Sequence, residues 1–352
     1  MLRLTKYTPL TDIGKPVKAN RISLLAATSV VAMALAACGA GTTDASSESS
    51  ASTSASASQS AGTVTVTDNY GEVTVTVPPQ KVAATDNRTF EVLESWGIDL
   101  VAAPIVLIPA TVETYKNNSS ITDIGTHREP NLELLAAEEP DLIVNGQRFS
   151  QHYDAIKELN PQAAILELEP REGQPFDEEL KRQVTVLGEV FGKQAEADKL
   201  IADFDAALAR AKAAYDGEST VMAVNVSGGE IGYIAPSIGR TYGPVFDMLG
   251  LKPALEVEGS SDNHQGDDIS VEAIAEANPD WLLVLDRDAG TSTDEGSPAA
   301  ADVIAGSSAL ANVTAIAKNQ IAYAPADTYT NESIITYTEI LNDLADRFEA
   351  AK

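Results

Sequence analysis

Residues 133–144 have the sequence Glu133-Leu-Leu-Ala-Ala-Glu-Glu-Pro140-Asp-Leu-Ile-Val144, and residues 272–285 repeat its pattern as Glu272-Ala-Ile-Ala-Glu-Ala-Asn-Pro279-Asp-Trp-Leu-Leu-Val-Leu285. Each stretch predicts a short helix, a Pro-Asp turn and an apolar strand. An arginine follows each strand, Arg148 in the first copy and Arg287 in the second. The repeat therefore predicts two similar lobes that carry their strand ends, and these arginines, on opposite walls of one cleft.

The rest of the chain alternates short apolar strands with helical patterns. A hairpin is predicted at residues 63–77, and further strands at 81–84, 100–103, 141–144, 163–168, 220–226, 231–234, 281–285 and 321–323. This alternation is typical of a mostly parallel, doubly wound sheet. Residues 193–216 contain neither Gly nor Pro and predict a helix about 35 Å long. The predicted fold is α/β, with two pseudo-symmetric Rossmann-like lobes joined by a single long backbone helix and a ligand cleft between the lobes.

The N-terminal segment has the pattern of an export signal. Residues 1–21 carry all five bases of this segment, and residues 22–37 form an uncharged, largely apolar run that is too short to favour a membrane span. The run ends in Leu35-Ala-Ala-Cys38-Gly39, which resembles a bacterial lipobox and predicts cleavage that leaves Cys38 as a lipidated first residue. The Ser/Ala-rich stretch that follows predicts a flexible tether. The predicted domains are a signal peptide (1–37), a tether (38–61), an N-terminal lobe (62–192), a connecting helix (193–216) and a C-terminal lobe (217–352).

The composition excludes several classes of protein. The chain has 24 Lys and Arg residues against 52 Asp and Glu residues, a net charge of −28. Nucleic acid is therefore not an expected partner, because phosphate binding depends on clustered bases. Cys38 is the only cysteine, so neither an internal disulfide framework nor a zinc site built from cysteines is possible.

Taken together, these motifs resemble a known family. The hairpin, Pro-Asn-Leu-Glu at 130–133, Pro-Asp-Leu-Ile-Val at 140–144, the long helix and Asn-Pro-Asp-Trp at 278–281 are similar to the binding proteins of ABC importers. The resemblance covers residues 63–352 and is to the helical-backbone (class III) group, which takes up ferric siderophores, cobalamin and haem. Leu-Asp-Arg at 285–287 and Gly-Arg-Thr-Tyr-Gly at 239–243 look most like members that bind ferric catecholate siderophores.

The resemblance implies a set of ligand-binding residues. Arg148, Arg240 and Arg287 match the basic triad that clamps the anionic chelate in this family. Guanidinium groups suit that task because they stay ionised and present a planar fork to pairs of oxygen atoms. Arg88 is a further candidate for the cleft. His264 and Tyr329 resemble residues that donate to iron where the siderophore leaves the metal unsaturated, so they are metal ligands only on that condition.

The same resemblance implies partners and a location. Glu133 and Glu272 correspond to the carboxylates, one on each lobe, that dock on a permease dimer with a separate cytoplasmic ATPase. The protein is expected to be a monomer without an intrinsic cofactor or catalytic residues. It is expected to be extracytoplasmic and lipid-anchored to the outer face of the bacterial cytoplasmic membrane.

Other functions remain open at this level. Within the family, haem or cobalamin is an alternative ligand, since haem propionates would also suit arginines. A lipoprotein that binds free zinc or manganese would use the chain's three histidines, but this leaves the arginines without a role. A secreted hydrolase would need a nucleophile and a base, and His127, His152 and His264 lie in no recognisable catalytic motif.

Overall fold

The computed structural model describes residues 62–291 and 297–352. The predicted signal peptide, Cys38 and the tether lie outside the described residues. No helix in the described part of the chain combines the length and the hydropathy that a membrane crossing requires.

The N-terminal lobe consists of a hairpin and a parallel sheet. Its strands are β1 (Gly62–Thr67), β2 (Glu72–Val77), β3 (Val82–Ala84), β4 (Leu100–Ala103), β5 (Thr122–Asp123), β6 (Leu142–Asn145) and β7 (Ala164–Glu167). Its helices are α1 (Phe90–Ser95), α2 (Glu113–Lys116), α3 (Leu132–Ala137) and α4 (Tyr153–Leu159), with 3-10 turns at Ile105–Leu107 and Gln147–His152. Strands β1 and β2 pair antiparallel, and the parallel sheet has the order β5-β4-β3-β6-β7.

Two helices follow, α5 (Phe176–Phe191) and α6 (Gln194–Ala214), and lead into the C-terminal lobe. Its strands are β8 (Thr220–Ser227), β9 (Glu230–Ile234), β10 (Lys252–Pro253), β11 (Asp267–Asp268), β12 (Trp281–Asp286) and β13 (Ile321–Tyr323). Its helices are α7 (Gly243–Leu249), α8 (Val271–Ala277), α9 (Arg287–Thr291), α10 (Ala300–Gly306), α11 (Thr314–Ala317) and α12 (Ile334–Ala350). The sheet is mixed, with the order β11-β9-β8-β12-β13 and β10 beside β8. The two-lobed α/β fold predicted from the sequence is confirmed.

The internal repeat extends to strand register and to the Pro-Asp turns. Val82 lies opposite Leu142 in the first lobe, and Val221 lies opposite Trp281 in the second. The carboxylate of Asp141 accepts hydrogen bonds from the backbone N–H groups of Gln80 and Lys81, at 2.8 and 3.0 Å. The carboxylate of Asp280 does the same for Thr220, at 2.9 Å. In both lobes the repeated aspartate therefore ties the strand that follows it to the start of its parallel neighbour.

Helix α6 occupies the segment predicted to connect the lobes, and its neighbours reinforce the connection. Helix α6 packs along α12, and α5 contacts both α12 and the β1–β2 hairpin. The ring of Phe176 packs edge-on against Tyr337, with centroids 5.0 Å apart. One hydrophobic cluster includes Leu93 of the first lobe, Phe204 of α6 and Leu283 of the second lobe. A shared core therefore joins the lobes in addition to the connecting helix.

Candidate ligand-binding site

Three arginines are delivered to the cleft by strand ends and by one loop. Arg148 lies in the 3-10 turn that follows β6, and Arg287 is the first residue of α9, directly after β12. Arg240 lies in the loop between β9 and α7. Ligands of α/β sheets bind beyond the carboxyl ends of parallel strands, and both β6 and β12 end there. The repeat in the sequence thus places one arginine on each lobe at the same edge of its sheet.

The three guanidinium groups surround the ring of Tyr329. Their central carbons lie 4.3 Å (Arg240), 5.0 Å (Arg287) and 5.6 Å (Arg148) from the ring centroid, within the range of cation–π contacts. Tyr329 is buried. Burial would raise the pKa of its hydroxyl, but the positive charges of Arg240, Arg148 and Arg287 outweigh that effect and lower the pKa. The tyrosine therefore lies at the centre of a strongly positive cluster.

These groups line a cavity of about 480 Å³ that both lobes enclose, here called the tyrosine cavity. The N-terminal lobe contributes His127, Arg128 and Arg148. The C-terminal lobe contributes Arg240, His264, Arg287 and Tyr329. The lining of the cavity includes four arginines and two histidines, together with the apolar side chains of Val106 and Leu107. This lining suits an anionic ligand with an apolar surface.

The two histidines enter the cavity from opposite lobes. Burial, followed by the charge of Arg287, lowers the pKa of His264. Burial, followed by the charge of Arg148, lowers the pKa of His127, and the Nδ1 atom of His127 is buried without a hydrogen-bond partner. Neutral imidazoles can donate to a metal or hydrogen-bond a ligand. Among the residues described, no three His, Cys, Asp or Glu side chains are grouped so as to hold a metal ion by themselves.

A second cavity of about 380 Å³ adjoins the first and is here called the glutamate cavity. Arg148 and Arg240 line both cavities, whereas Arg88 lines only the glutamate cavity. Arg88 is directed to Glu332, with its Nη2 atom 3.4 Å from Oε2 of that carboxylate. Arg88 therefore lies behind the arginines of the tyrosine cavity.

Five of the six ligand-binding candidates from the sequence come together in the tyrosine cavity, namely Arg148, Arg240, His264, Arg287 and Tyr329. Sequence reasoning did not select His127, Arg128 or Glu332. The first two lie just after β5, which is only two residues long and has no apolar pattern to mark it. Glu332 lies in a polar loop, where an acidic side chain would normally be solvent-exposed.

The two glutamates of the repeat have equivalent positions on the surface. Glu133 and Glu272 are both exposed and occupy the second position of α3 and α8. Asn131 caps α3 by accepting from the N–H of Leu134, and Ser270 caps α8 by accepting from Ala273, each at 3.1 Å. The helix dipole favours a carboxylate in the first turn of a helix, which is one reason for a glutamate at both positions.

Comparison with known proteins agrees with this architecture. A ferric-anguibactin-binding protein, FatB, of Vibrio anguillarum is 29% identical over 285 residues, which cover 80% of this chain and 86% of FatB. A TroA-like periplasmic binding protein of Xylanimonas cellulosilytica is 28% identical with a TM-score of 0.67, covering 83% of this chain and all of that one. The periplasmic catecholate-siderophore binding protein VctP of Vibrio cholerae is 26% identical with a TM-score of 0.69, covering 82% of this chain and all of VctP.

A protein family also matches most of the chain. Residues 82–328 match the family described as periplasmic binding protein, and this range runs from β3 to the residue before Tyr329. It includes both sheets, the connecting helices and all three arginines around the tyrosine. The chain therefore belongs to the periplasmic binding protein family.

Proposed function

We propose that this protein captures an iron(III)–siderophore complex, with a catecholate favoured, and delivers it to an ABC importer. The observation that carries the proposal is the group of three guanidinium carbons within 5.6 Å of one buried tyrosine ring, in a cavity that both lobes enclose. A ferric tris-catecholate is a trianion whose charge is spread over oxygens. Arginine forks can replace the water that such oxygens lose on binding.

The named relatives support the same ligand class. FatB binds ferric anguibactin, VctP is a catecholate-siderophore binding protein, and a relative in Bacillus subtilis is a petrobactin-binding protein. For this chain we assign the clamp to Arg148, Arg240 and Arg287. His264 and Tyr329 are assigned to iron only where the siderophore leaves the metal unsaturated, and otherwise to hydrogen bonds with the chelate. Arg88 supports the clamp from behind.

The remaining assignments concern location and partners. We propose that the protein works outside the cytoplasmic membrane, anchored through a lipid on Cys38. We assign Glu133 and Glu272 to docking on a permease dimer, whose separate ATPase drives import. The exposed, equivalent positions of the two carboxylates support this assignment. The protein acts as a monomer and performs no chemistry on its ligand.

The test is a calorimetric titration of the purified protein with a ferric catecholate, a ferric hydroxamate, ferric citrate, haem and cobalamin. We expect the ferric catecholate to bind most tightly. Arg240→Gln should weaken that binding roughly 30-fold or more, because losing one member of a buried charge pair costs about 2 kcal/mol or more. Arg210→Gln is the matched control, since Arg210 pairs with Asp346 and Glu349 in a half-exposed position outside both cavities.

Two results would contradict the proposal. Tighter binding of haem or cobalamin than of the ferric catecholate would assign the protein to another ligand class of the family. Equal affinities for Arg240→Gln and Arg210→Gln would show that the tyrosine cavity is not the binding site.

A further inference from the structure

Glu332 is a buried carboxylate that lies directly behind the arginines. It is 2% exposed. Its Oε2 atom accepts from Nη2 of Arg240 at 3.0 Å, from Nη2 of Arg88 at 3.4 Å and from Nε2 of Gln147 at 3.0 Å. Its Oε1 atom accepts from the hydroxyl of Thr241 at 2.7 Å. Glu332 therefore holds donors from both lobes in one network.

The carboxylate also fixes the backbone next to Arg240. Thr241 has φ of 60°, a left-handed conformation that is unfavourable for a β-branched residue. Its hydroxyl is held by Glu332, and its carbonyl accepts from the hydroxyl of Tyr337 at 3.0 Å. Arg240 additionally donates to the carbonyl of Tyr329 at 3.0 Å. The position of the arginine nearest the tyrosine ring thus depends on Glu332 through the side chain and through the backbone.

Glu332 remains charged although it is buried. Burial would raise its pKa, but the charges of Arg240 and Arg88 and the hydroxyl of Thr241 lower it to about 2. A buried carboxylate is tolerated only when it is paired and hydrogen-bonded in this way. Its negative charge lowers the positive potential that the arginines present to a ligand in the tyrosine cavity.

We propose that Glu332 is a positioning residue that sets which ligand charge the tyrosine cavity prefers. The proposal rests on the proposed function, because it concerns the same arginines. The interaction of Glu332 with a bound chelate is repulsive and grows in proportion to the charge of the chelate. Removing the carboxylate charge should therefore strengthen the binding of both chelates. The gain in binding free energy should be about three times larger for a trianion than for a monoanion.

The experiment compares two ligands in three forms of the full protein. The ligands are a hexadentate tris-catecholate iron(III) chelate, which is a trianion, and a tetradentate bis-catecholate iron(III) chelate, which is a monoanion. Affinities are measured at one fixed ionic strength for the wild type, Glu332→Gln and Glu332→Asp. The measured quantity is the ratio of the two affinities, because a smaller folded fraction lowers both apparent affinities by the same factor.

We expect Glu332→Gln to move the ratio at least roughly tenfold toward the trianion, a difference of about 1.4 kcal/mol. Glu332→Asp keeps the charge on a shorter side chain, so both affinities should fall while the ratio stays near that of the wild type. An unchanged ratio in Glu332→Gln would overturn the inference. The same shift in Glu332→Asp would also overturn it, because geometry rather than charge would then be responsible.

A second variant protects the test against misfolding of Glu332→Gln. Arg88 pairs with Glu332 but does not line the tyrosine cavity, so Arg88→Gln leaves the carboxylate less neutralised. The ratio should then move toward the monoanion, and a shift in the opposite direction would contradict the inference. Failure of the wild type to bind either chelate would instead refute the proposed function, which keeps the two failures distinguishable.

Discussion

Four arginines line the tyrosine cavity and repel each other, and individual contacts hold three of them in place. Nη2 of Arg148 lies 3.5 Å from the carbonyl of Tyr329, and Nη1 of Arg287 donates to the hydroxyl of Ser227 at 3.1 Å. Arg240 is held by Glu332. These contacts restrain the three guanidinium groups, which reduces the entropy that they lose on binding a ligand. The buried Nε atoms of Arg240 and Arg287 have no hydrogen-bond partner and remain available as donors.

A second buried carboxylate, Asp86, has a raised pKa, in contrast to Glu332, whose pKa is lowered. Asp86 is fully buried and accepts from Nε2 of Gln183 at 3.0 Å and from the backbone N–H of Arg88 at 2.9 Å. Burial raises its pKa to about 7, although the charge of Arg88 acts in the other direction. Because the folded-state pKa is raised, the neutral form is favoured by folding. The stability that Asp86 contributes is therefore present at low pH and is lost as the pH rises toward and through 7.

The substitution Asp86→Asn tests this balance. The wild type should lose about 3 kcal/mol of its free energy of unfolding between pH 5 and pH 8 through Asp86, and the variant should not show this loss. Urea unfolding at both pH values measures the difference. Asp216→Asn is the control, since the hydroxyl and backbone N–H of Ser219 lower the pKa of Asp216, so that it titrates below this range. A pH-independent difference for Asp86→Asn would show that Asp86 is ionised throughout.

At the scale of elements, the turn from α5 to α6 depends on one close helix contact. A Cβ atom placed on Gly188 would lie 2.7 Å from the Cβ atom of Ala197 and 3.3 Å from the carbonyl of Lys193. Gly192 ends α5 with φ of 65°, in the left-handed conformation that glycine accepts readily. The two glycines together allow the chain to reverse within a few residues and to bring α6 against α5.

We expect Gly188→Ala to destabilise the protein by about 1–3 kcal/mol, because the overpacked helices must move apart. Gly306→Ala is a matched control in a helix, since a Cβ atom there meets nothing within 4 Å. That control should be neutral or stabilising by up to about 1 kcal/mol. Denaturant midpoints of the two variants measure the contrast, and equal midpoints would contradict the close contact between α5 and α6.

The elements differ in how far the sequence predicted them. Strands with several buried β-branched or leucine residues, such as β6 and β12, were predicted with nearly correct bounds because both faces are buried in a parallel sheet. The two-residue strands β5, β10 and β11 were missed, because each exists only through pairing with a longer neighbour. Arg148 and Arg287 followed from the repeat, and Arg240 from the family resemblance. Glu332 could not be found in this way, because its burial results from the meeting of two lobes.

For the whole molecule, charge is distributed unevenly. The chain has a net charge of −28, yet four arginines line one cavity. Salt screens charges beyond about 8 Å, so the acidic exterior repels an anionic chelate, and the arginines attract it, mainly at short range. Recognition of an anion therefore depends on entry into the tyrosine cavity. The repeat places Glu133 and Glu272, the carboxylates proposed for docking, identically on both lobes.

Replacing both glutamates separates ligand capture from docking. We expect Glu133→Ala together with Glu272→Ala to leave the affinity for the ferric chelate unchanged, because neither residue lines the tyrosine cavity. Loss of the dipole interaction at the two helix starts should cost only about 0.3–1 kcal/mol each in stability. If the proposed docking is correct, uptake of labelled iron by cells that express the variant should stop, because one carboxylate contact to the permease is lost from each lobe. Glu189→Ala together with Glu218→Ala, two exposed glutamates away from these helix starts, should leave uptake intact. Normal uptake by the first double variant would remove the docking role, and a parallel loss in the second would show that overall charge is responsible.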